Sequence, residues 1–235
     1  MKEHAIKIVW QAPNQCEQCG IRHLVLFADL NKEDFYKIHH PVQEMEFAAG
    51  DFLYRQDDDP HYVYTIRSGL VKLVTYLKDG NQRIVRLLKQ GDLAGIEALG
   101  DLPYEHHAII LEPVSVCRIP VNVVKELGEE TPRLNKQLTV RWHRSIKEAD
   151  FWLTELSTGT ARSRVTQLLL FLKSITDESD FFLPGREDMG AMLGITTETS
   201  SRIISELKQK GILRLTGSHR AEVDSEQLNQ FSDKT

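Results

Sequence analysis

The chain has 235 residues and carries 34 acidic against 29 basic side chains, a net charge of −5. That length has room for two modest domains of ordinary composition, and the acidic balance excludes a protein that coats nucleic acid indiscriminately while permitting a local basic surface. No apolar run approaches the roughly 20 residues that cross a bilayer, and M-K-E-H-A-I-K-I-V-W lacks the apolar core and small-residue cleavage site of an export signal, which predicts a cytoplasmic protein.

Up to about residue 25, Pro13 and Gly20 interrupt any periodicity, so this stretch reads as an extended arm bearing Cys16 and Cys19 as C-E-Q-C. Three cysteines cannot make a paired disulfide framework, and the clustered pair suits a metal, an iron–sulfur cluster or a redox switch. Cys117 by itself reads as a small core residue. Leu30, Phe35 and Ile38 are spaced for a short helix, with Asn31 as its N-cap. Between Val42 and Pro120, short β-rich runs such as D-F-L-Y-R, Y-V-Y-T-I, L-V-K-L-V-T-Y-L and S-V-C-R-I alternate with glycine-bearing separators. This spacing predicts a small antiparallel sandwich or barrel, with Gly69 and Gly80 bracketing a hairpin and K-D-G-N as its turn.

After Pro120 the period becomes helical. From about Arg133 to Leu156, the residues Leu138, Trp142, Ser145, Ala149, Trp152 and Leu156 recur at alternating steps of four and three. That is a coiled-coil seam, which Ile146 and Leu153 widen. A second copy of the chain would cover it in a two-fold dimer, and packing onto the β-rich region would absorb the same stripe. S-T-G-T at 157 to 160 reads as a hinge. A helix follows from Ala161 to Ile175 on Val165, Leu168, Leu169 and Leu172. After F-F-L-P, a short strand or turn, comes a short helix from Arg186 to Leu193, a turn at Gly194, and a helix capped by Thr196 and stopped at Gly211. Two short strands around Gly217 complete a winged helix-turn-helix plan, and the last residues read as frayed.

In the last of those helices, Ile203, Ile204 and Leu207 form the stripe to be buried, which leaves Thr197, Glu198, Ser201 and Arg202 together on the open face. A carboxylate acceptor, hydroxyls and a guanidinium are the groups that read base edges: Arg bonds guanine O6 and N7, Glu accepts from cytosine N4, and Ser serves either side. An ordinary solvated helix face is the alternative. Arg186, Arg202, Lys208, Lys210, Arg214 and Arg220 are the cations available for phosphates, with His219 nearby, and ordinary solvated charge is the alternative for any one of them. No Ser/His/Asp or paired-carboxylate constellation belongs to a recognisable catalytic motif, so no enzyme is expected.

The strings G-D-F-L-Y-R-Q-D-D-D at 50 to 59, I-R-S-G-L-V-K-L at 66 to 73 and Q-G-D-L-A-G at 90 to 95, followed by the helix-turn-helix, resemble the CRP/FNR family of bacterial transcription regulators over nearly the whole chain. The resemblance implies an α+β protein: a cysteine-bearing arm (1–25), a cyclic-nucleotide-binding-type β-roll (26–128), a dimerisation helix with its hinge (129–159) and a winged helix-turn-helix domain (160–235). It implies a homodimer that sets two recognition helices in successive major grooves, about 34 Å apart, over a palindrome, with double-stranded DNA and RNA polymerase as partners. E-T-S-S-R matches the FNR-type pattern at Glu198, Ser201 and Arg202, which implies a TTGAT-type half-site. Ser200 departs from it, because relatives usually carry an aliphatic residue there.

Two further comparisons concern the effector. Cyclic-nucleotide binders of this fold present a Glu for the ribose and an Arg for the phosphate, where this chain has Ile96, and His106 with His107. A buried phosphate without its Arg loses the bidentate contact that offsets its desolvation, which argues against cyclic AMP, although Glu97 could supply the ribose contact one residue along. FNR-type oxygen sensors hold a [4Fe–4S] cluster on four cysteines. Cys16, Cys19 and Cys117 match three of them, Val25 stands at the other, and His23 is the nearest replacement ligand. An atypical cluster, a thiol switch at Cys16 and Cys19, and the remnant of a disused sensor all stay open. The acidic residue that keeps such sensors monomeric without their cluster aligns with Ala149, which implies a dimer even without a cofactor.

Overall fold

The computed structural model describes residues 6–8, 26–28, 30, 31, 33, 34, 42–176 and 179–232. Cys16, Cys19, His23, Val25, Phe35 and Ile38 lie outside them. The chain divides into two compact units, residues 1–74 with 87–146, and residues 75–86 with 147–235.

The first unit is built on a seven-stranded sheet, of which the hairpin residues 75–86 are grouped with the second unit. Its strands are β1 (Ile6–Ile8), β2 (Gln43–Phe47), β3 (Phe52–Tyr54), β4 (Tyr62–Tyr76), β5 (Gln82–Leu88), β6 (Leu93–Ala94) and β7 (His107–Pro120). The main path runs β1-β2-β7-β4-β5, with β3 on β7 and β6 on β4. β1 pairs with β2 antiparallel, so the segment expected as an extended arm contributes a strand. Val63, Ile66, Val71, Val74 and Val116 are wholly buried on β4 and β7, and each such side chain contributes roughly 1.5–3 kcal/mol.

The runs Y-V-Y-T-I and L-V-K-L-V-T-Y-L, expected as two strands, are one strand. β4 continues through Gly69 by slipping register between Ile66 and Val71 against β7. Gly69 therefore does not bracket the hairpin. Its φ is +80°, and a Cβ there would stand 2.1 Å from the Pro113 carbonyl oxygen, so the bulge requires glycine. The hairpin turn lies where expected, with Gly80 donating to the Leu77 carbonyl at 2.9 Å and Leu77 to that of Asn81 at 2.8 Å.

Asn31 caps the turn before Asp34 reciprocally: each backbone N–H is held by the other's side chain, at 3.0 and 2.9 Å. Buried Asp34 also accepts from Arg133 at 3.2 Å. After β7 come α1 (Val121–Glu130) and α2 (Pro132–Phe151). The expected unbroken helix to Leu156 changes character at Trp152, where a π-helical turn, Trp152–Leu156, takes over. This extra residue per turn rotates the stripe, and Trp152 and Leu156 become buried.

In the second unit α3 (Ala161–Ser174) is capped by Thr160, whose hydroxyl accepts from the Ser163 N–H at 3.1 Å. Val165, Leu168, Leu169 and Leu172 are buried as expected. The π-turn packs on α3, and the Phe151 and Phe171 rings stand 5.4 Å apart. A three-stranded sheet in the order β8 (Phe181–Phe182), β10 (Arg220–Val223), β9 (Leu213–Leu215) forms the wing. The C-terminal residues expected to fray form a helix instead, α6 (Ser225–Ser232). It buries Leu228 and Phe231, and Lys173 ties its start to α3 through Ser225 Oγ at 2.9 Å.

Candidate nucleic-acid interface

Two helices carry the site, α4 (Arg186–Leu193) and α5 (Thr197–Gln209). Gly194 ends α4 at φ +63°, and the N–H groups of Gly194 and Ile195 both donate to the Gly190 carbonyl, at 2.9 and 3.2 Å. That joint forces close approach: a Cβ on Gly190 would stand 2.7 Å from the Ile195 carbonyl oxygen. Thr196 then caps α5, accepting from the Thr199 N–H at 3.2 Å. Ile203, Ile204 and Leu207 are buried, so the helix has one fixed orientation on its unit.

Its opposite face is open. Thr197, Glu198 and Arg202 are exposed and Ser201 is half-buried. The Glu198 carboxyl is held below the usual carboxylate range by its own backbone N–H and by the Thr196 hydroxyl, so at neutral pH it is an ionised acceptor. Its place in the first turn agrees with the positive end of the helix dipole.

The six cations divide. Lys208 stays exposed on the last turn of α5. Lys210 pairs with Glu206 at 2.7 Å, Arg214 with Glu222 at 2.6 Å, and Arg220 with Asp180. Arg186 is half-buried, its guanidinium turned to the Pro184 carbonyl and Met189 Sδ, each at 3.4 Å. Asp180 also accepts from the Thr216 hydroxyl at 2.6 Å, so one carboxylate clamps both sides of the wing turn. His219 stacks on Phe182 with ring centroids 5.6 Å apart.

Asp180 and Arg83 escaped sequence reasoning, since each acts across a long separation. The Arg83 guanidinium lies against Gly194, where a Cβ would meet Nη1 at 2.8 Å, and reaches Ser157 Oγ at 3.3 Å. Glu206, which holds Arg162 at 2.9 Å as well as Lys210, was half legible, because the Glu206–Lys210 spacing is that of a helical ion pair.

In the first unit, Ile96, Glu97, His106 and His107, the residues aligned with a nucleotide cradle, are half-buried. Ile96 opens a short 3₁₀ helix, Ile96–Gly100, directly after Gly95. The Tyr104 ring fills the space beside Gly95, 2.7 Å from where a Cβ would be. It stacks on Tyr54 at 4.0 Å and donates its hydroxyl to the Tyr62 carbonyl at 2.6 Å. Glu97 accepts from the Glu105 N–H at 3.1 Å, and His107 Nδ1 from the Gln56 N–H at 3.2 Å. Cys117 is half-buried on β7 rather than a core residue. Among the described residues no three His, Cys, Asp or Glu side chains gather to hold a metal ion, so Cys117 is the one expected ligand that can be placed.

Of the expected dimer seam, Trp142 is exposed, Leu138, Ser145 and Ala149 are half-buried, and Trp152 and Leu156 are covered within the chain. Ile146 and Leu153 are the most open apolar side chains nearby, 61% and 65% exposed. Among the described residues no helix is long and apolar enough to cross a membrane.

A family model for the cyclic nucleotide-binding domain matches residues 44–131, and one for the Crp-like helix-turn-helix domain matches residues 163–231. The chain is 29% identical to the transcriptional activator protein Anr of Pseudomonas aeruginosa, over 91% of this chain and 90% of that protein. It is 26% identical to the fumarate and nitrate reduction regulatory protein of Escherichia coli, over 94% and 91%. Among solved structures, FixK2 from Bradyrhizobium japonicum superposes with a TM-score of 0.73 at 24% identity, over 83% of this chain and 98% of that one. A β-sheet domain of cyclic-nucleotide-binding type joined to a Crp-like helix-turn-helix, aligned nearly end to end with regulators rather than enzymes, makes this chain a member of the CRP/FNR family of transcription regulators.

Proposed function

We propose that the protein is a homodimeric, sequence-specific DNA-binding regulator of FNR type, reading a TTGAT-like palindrome and responding to oxygen or redox state. The observation that carries the DNA-reading half is the open face of α5: Glu198 and Arg202 are exposed on a helix whose other side is buried and whose start is capped. Four residues of helix rise about 6 Å, close to two base-pair steps of about 3.4 Å, so acceptor and guanidinium are spaced for base pairs about two steps apart. Lys208, exposed on the last turn of α5, is available for phosphates, with Arg186 entering if its guanidinium swings out. Trp142 and Ile146, 48% and 61% exposed, supply the apolar stripe for a second copy. The redox half rests on similarity to the fumarate and nitrate reduction regulatory protein and on the cysteine pair of the arm. A [4Fe–4S] cluster would use Cys16, Cys19 and Cys117 with a non-cysteine ligand such as His23, and RNA polymerase would be the partner at the promoter.

Arg202→Ala tests the DNA-reading half. Fluorescence anisotropy on a TTGAT/ATCAA duplex should show a loss of about 1–3 kcal/mol per half-site. Unchanged affinity would overturn the assignment.

A further inference from the structure

The buried face of α5 is aliphatic except at Ser200, which is wholly buried. Its hydroxyl lies 3.0 Å from the carbonyl oxygen of Arg186, the first residue of α4, and 2.9 Å from that of Thr197, one turn back on its own helix. A hydroxyl on an apolar helix face loses its hydration on folding, and here it recovers a partner on the neighbouring helix.

The joint at Gly190, Gly194 and Ile195 ties the end of α4 to the start of α5. Buried Ile203, Ile204 and Leu207 and the Arg162–Glu206 pair also hold α5, but apolar packing is non-directional and that pair reaches another helix, so neither is a directed contact between α4 and the first turn of α5. The Arg186 carbonyl belongs to the first residue of α4, four residues and about 6 Å along the helix from the Gly190 carbonyl at that joint. A hydrogen bond made there weakens steeply once stretched or bent, so it acts as a second point of attachment, and two points fix the crossing angle. Arg202 is five residues into α5, about 8 Å along its axis. At that lever arm a pivot of about 10° displaces it by more than 1 Å, beyond the roughly 0.5 Å within which a reading group must be held.

We propose that Ser200 is a positioning residue for base reading: its hydroxyl staples α5 to the first carbonyl of α4 and sets the angle at which Glu198, Ser201 and Arg202 meet the bases. Discrimination between sequences depends on this bond, whereas affinity for DNA in general, which comes from phosphate contacts, does not. The inference rests on the DNA-reading assignment above.

The test uses the full chain as wild type, Ser200→Ala, Ser200→Thr and Ser200→Val, each checked by thermal melting. Each is titrated by anisotropy with a TTGAT/ATCAA palindrome and with a scrambled duplex of the same composition, over a range of salt. Ser200→Ala should lose roughly tenfold of the palindrome-to-scrambled ratio, with scrambled binding and its salt slope unchanged. Thr keeps the hydroxyl and Val has the same shape without it, so Ser200→Thr should retain discrimination and Ser200→Val should lose it. A Ser200→Ala protein that discriminates like wild type overturns the staple, as does a Thr variant no better than the Val variant. Wild type that fails to prefer the palindrome sinks the DNA-reading assignment itself, a separate outcome.

Discussion

The helix-turn-helix and the β-sheet domain use their polar side chains in opposite ways. In the former, hydroxyls are tied to the backbone at the joints, Thr160 to Ser163, Thr196 to Thr199 and Ser200 to Arg186, while Thr197, Glu198 and Arg202 face outward. In the latter, the groups at the nucleotide cradle are taken up internally: Glu97 by the Glu105 N–H, His107 by that of Gln56, and the Tyr104 hydroxyl by the Tyr62 carbonyl. Burial also pushes the Tyr54 and Tyr64 hydroxyls well above the usual tyrosine range, so they stay neutral. One domain holds donors and acceptors open on a helix face, whereas the other pairs the named groups with one another.

The sharpest way to separate the two regions is through their tight glycines. Gly69→Ala drives a Cβ into the Pro113 carbonyl at a residue with positive φ and should cost the sheet domain about 3 kcal/mol or more. Gly190→Ala meets the Ile195 carbonyl at an ordinary φ and should cost the helix-turn-helix about 1–3 kcal/mol. Calorimetry should show each change lowering its own transition. A single transition moved by both would show that the domains unfold as one.

A second measurement probes the sensing side. Anaerobically purified protein should contain iron and acid-labile sulfide and bleach in air. Colourless, iron-free protein would leave thiol switching or constitutive action. Sedimentation of the metal-free protein at micromolar concentration should give a dimer, and Ile146→Asp should make it monomeric by placing a charge on the apolar stripe. A monomeric metal-free wild type would remove the role given to Ala149.

The smallest expected effect is at the wing. Arg220 and Thr216 hold the Asp180 carboxyl below its ordinary value of 3.8. A depressed folded-state value means that the anchoring is complete above pH 3.8 and is lost as pH falls through the lower folded value. Acid titration of the wing resonances by NMR should show release below pH 3.8 in wild type. Asp180→Asn should abolish that step and loosen the wing slightly at neutral pH. An unchanged titration in the variant would remove the clamp.

Much of the reading side was legible because its determinants are local. Thr196 as cap, Gly194 as stop, and the three- and four-residue steps of Val165 to Leu172 and of Ile203 to Leu207 act within one or two helical turns, and the structure places those helices within a residue or two of expectation. The open face of α5 followed from the same periodicity. The β-rich run was legible as a class, from its strand and turn residues, but not in detail.

The rest depended on partners far away along the chain. β4 runs unbroken through Gly69 because β7, some forty residues on, supplies the carbonyl that only glycine can approach. The seam helix turns into a π-turn where Trp152 and Leu156 find cover in the chain. Arg214 and Arg220 read as free cations until folding brought Glu222 and Asp180 to them. Ser200 stands in the sequence only as a departure from the aliphatic residue usual at that place in the recognition helix. Periodicity by itself determined which face of α5 is buried, whereas the identity of the atom waiting there, the Arg186 carbonyl, was decided by tertiary structure, because a hydrogen bond is set by where two helices cross.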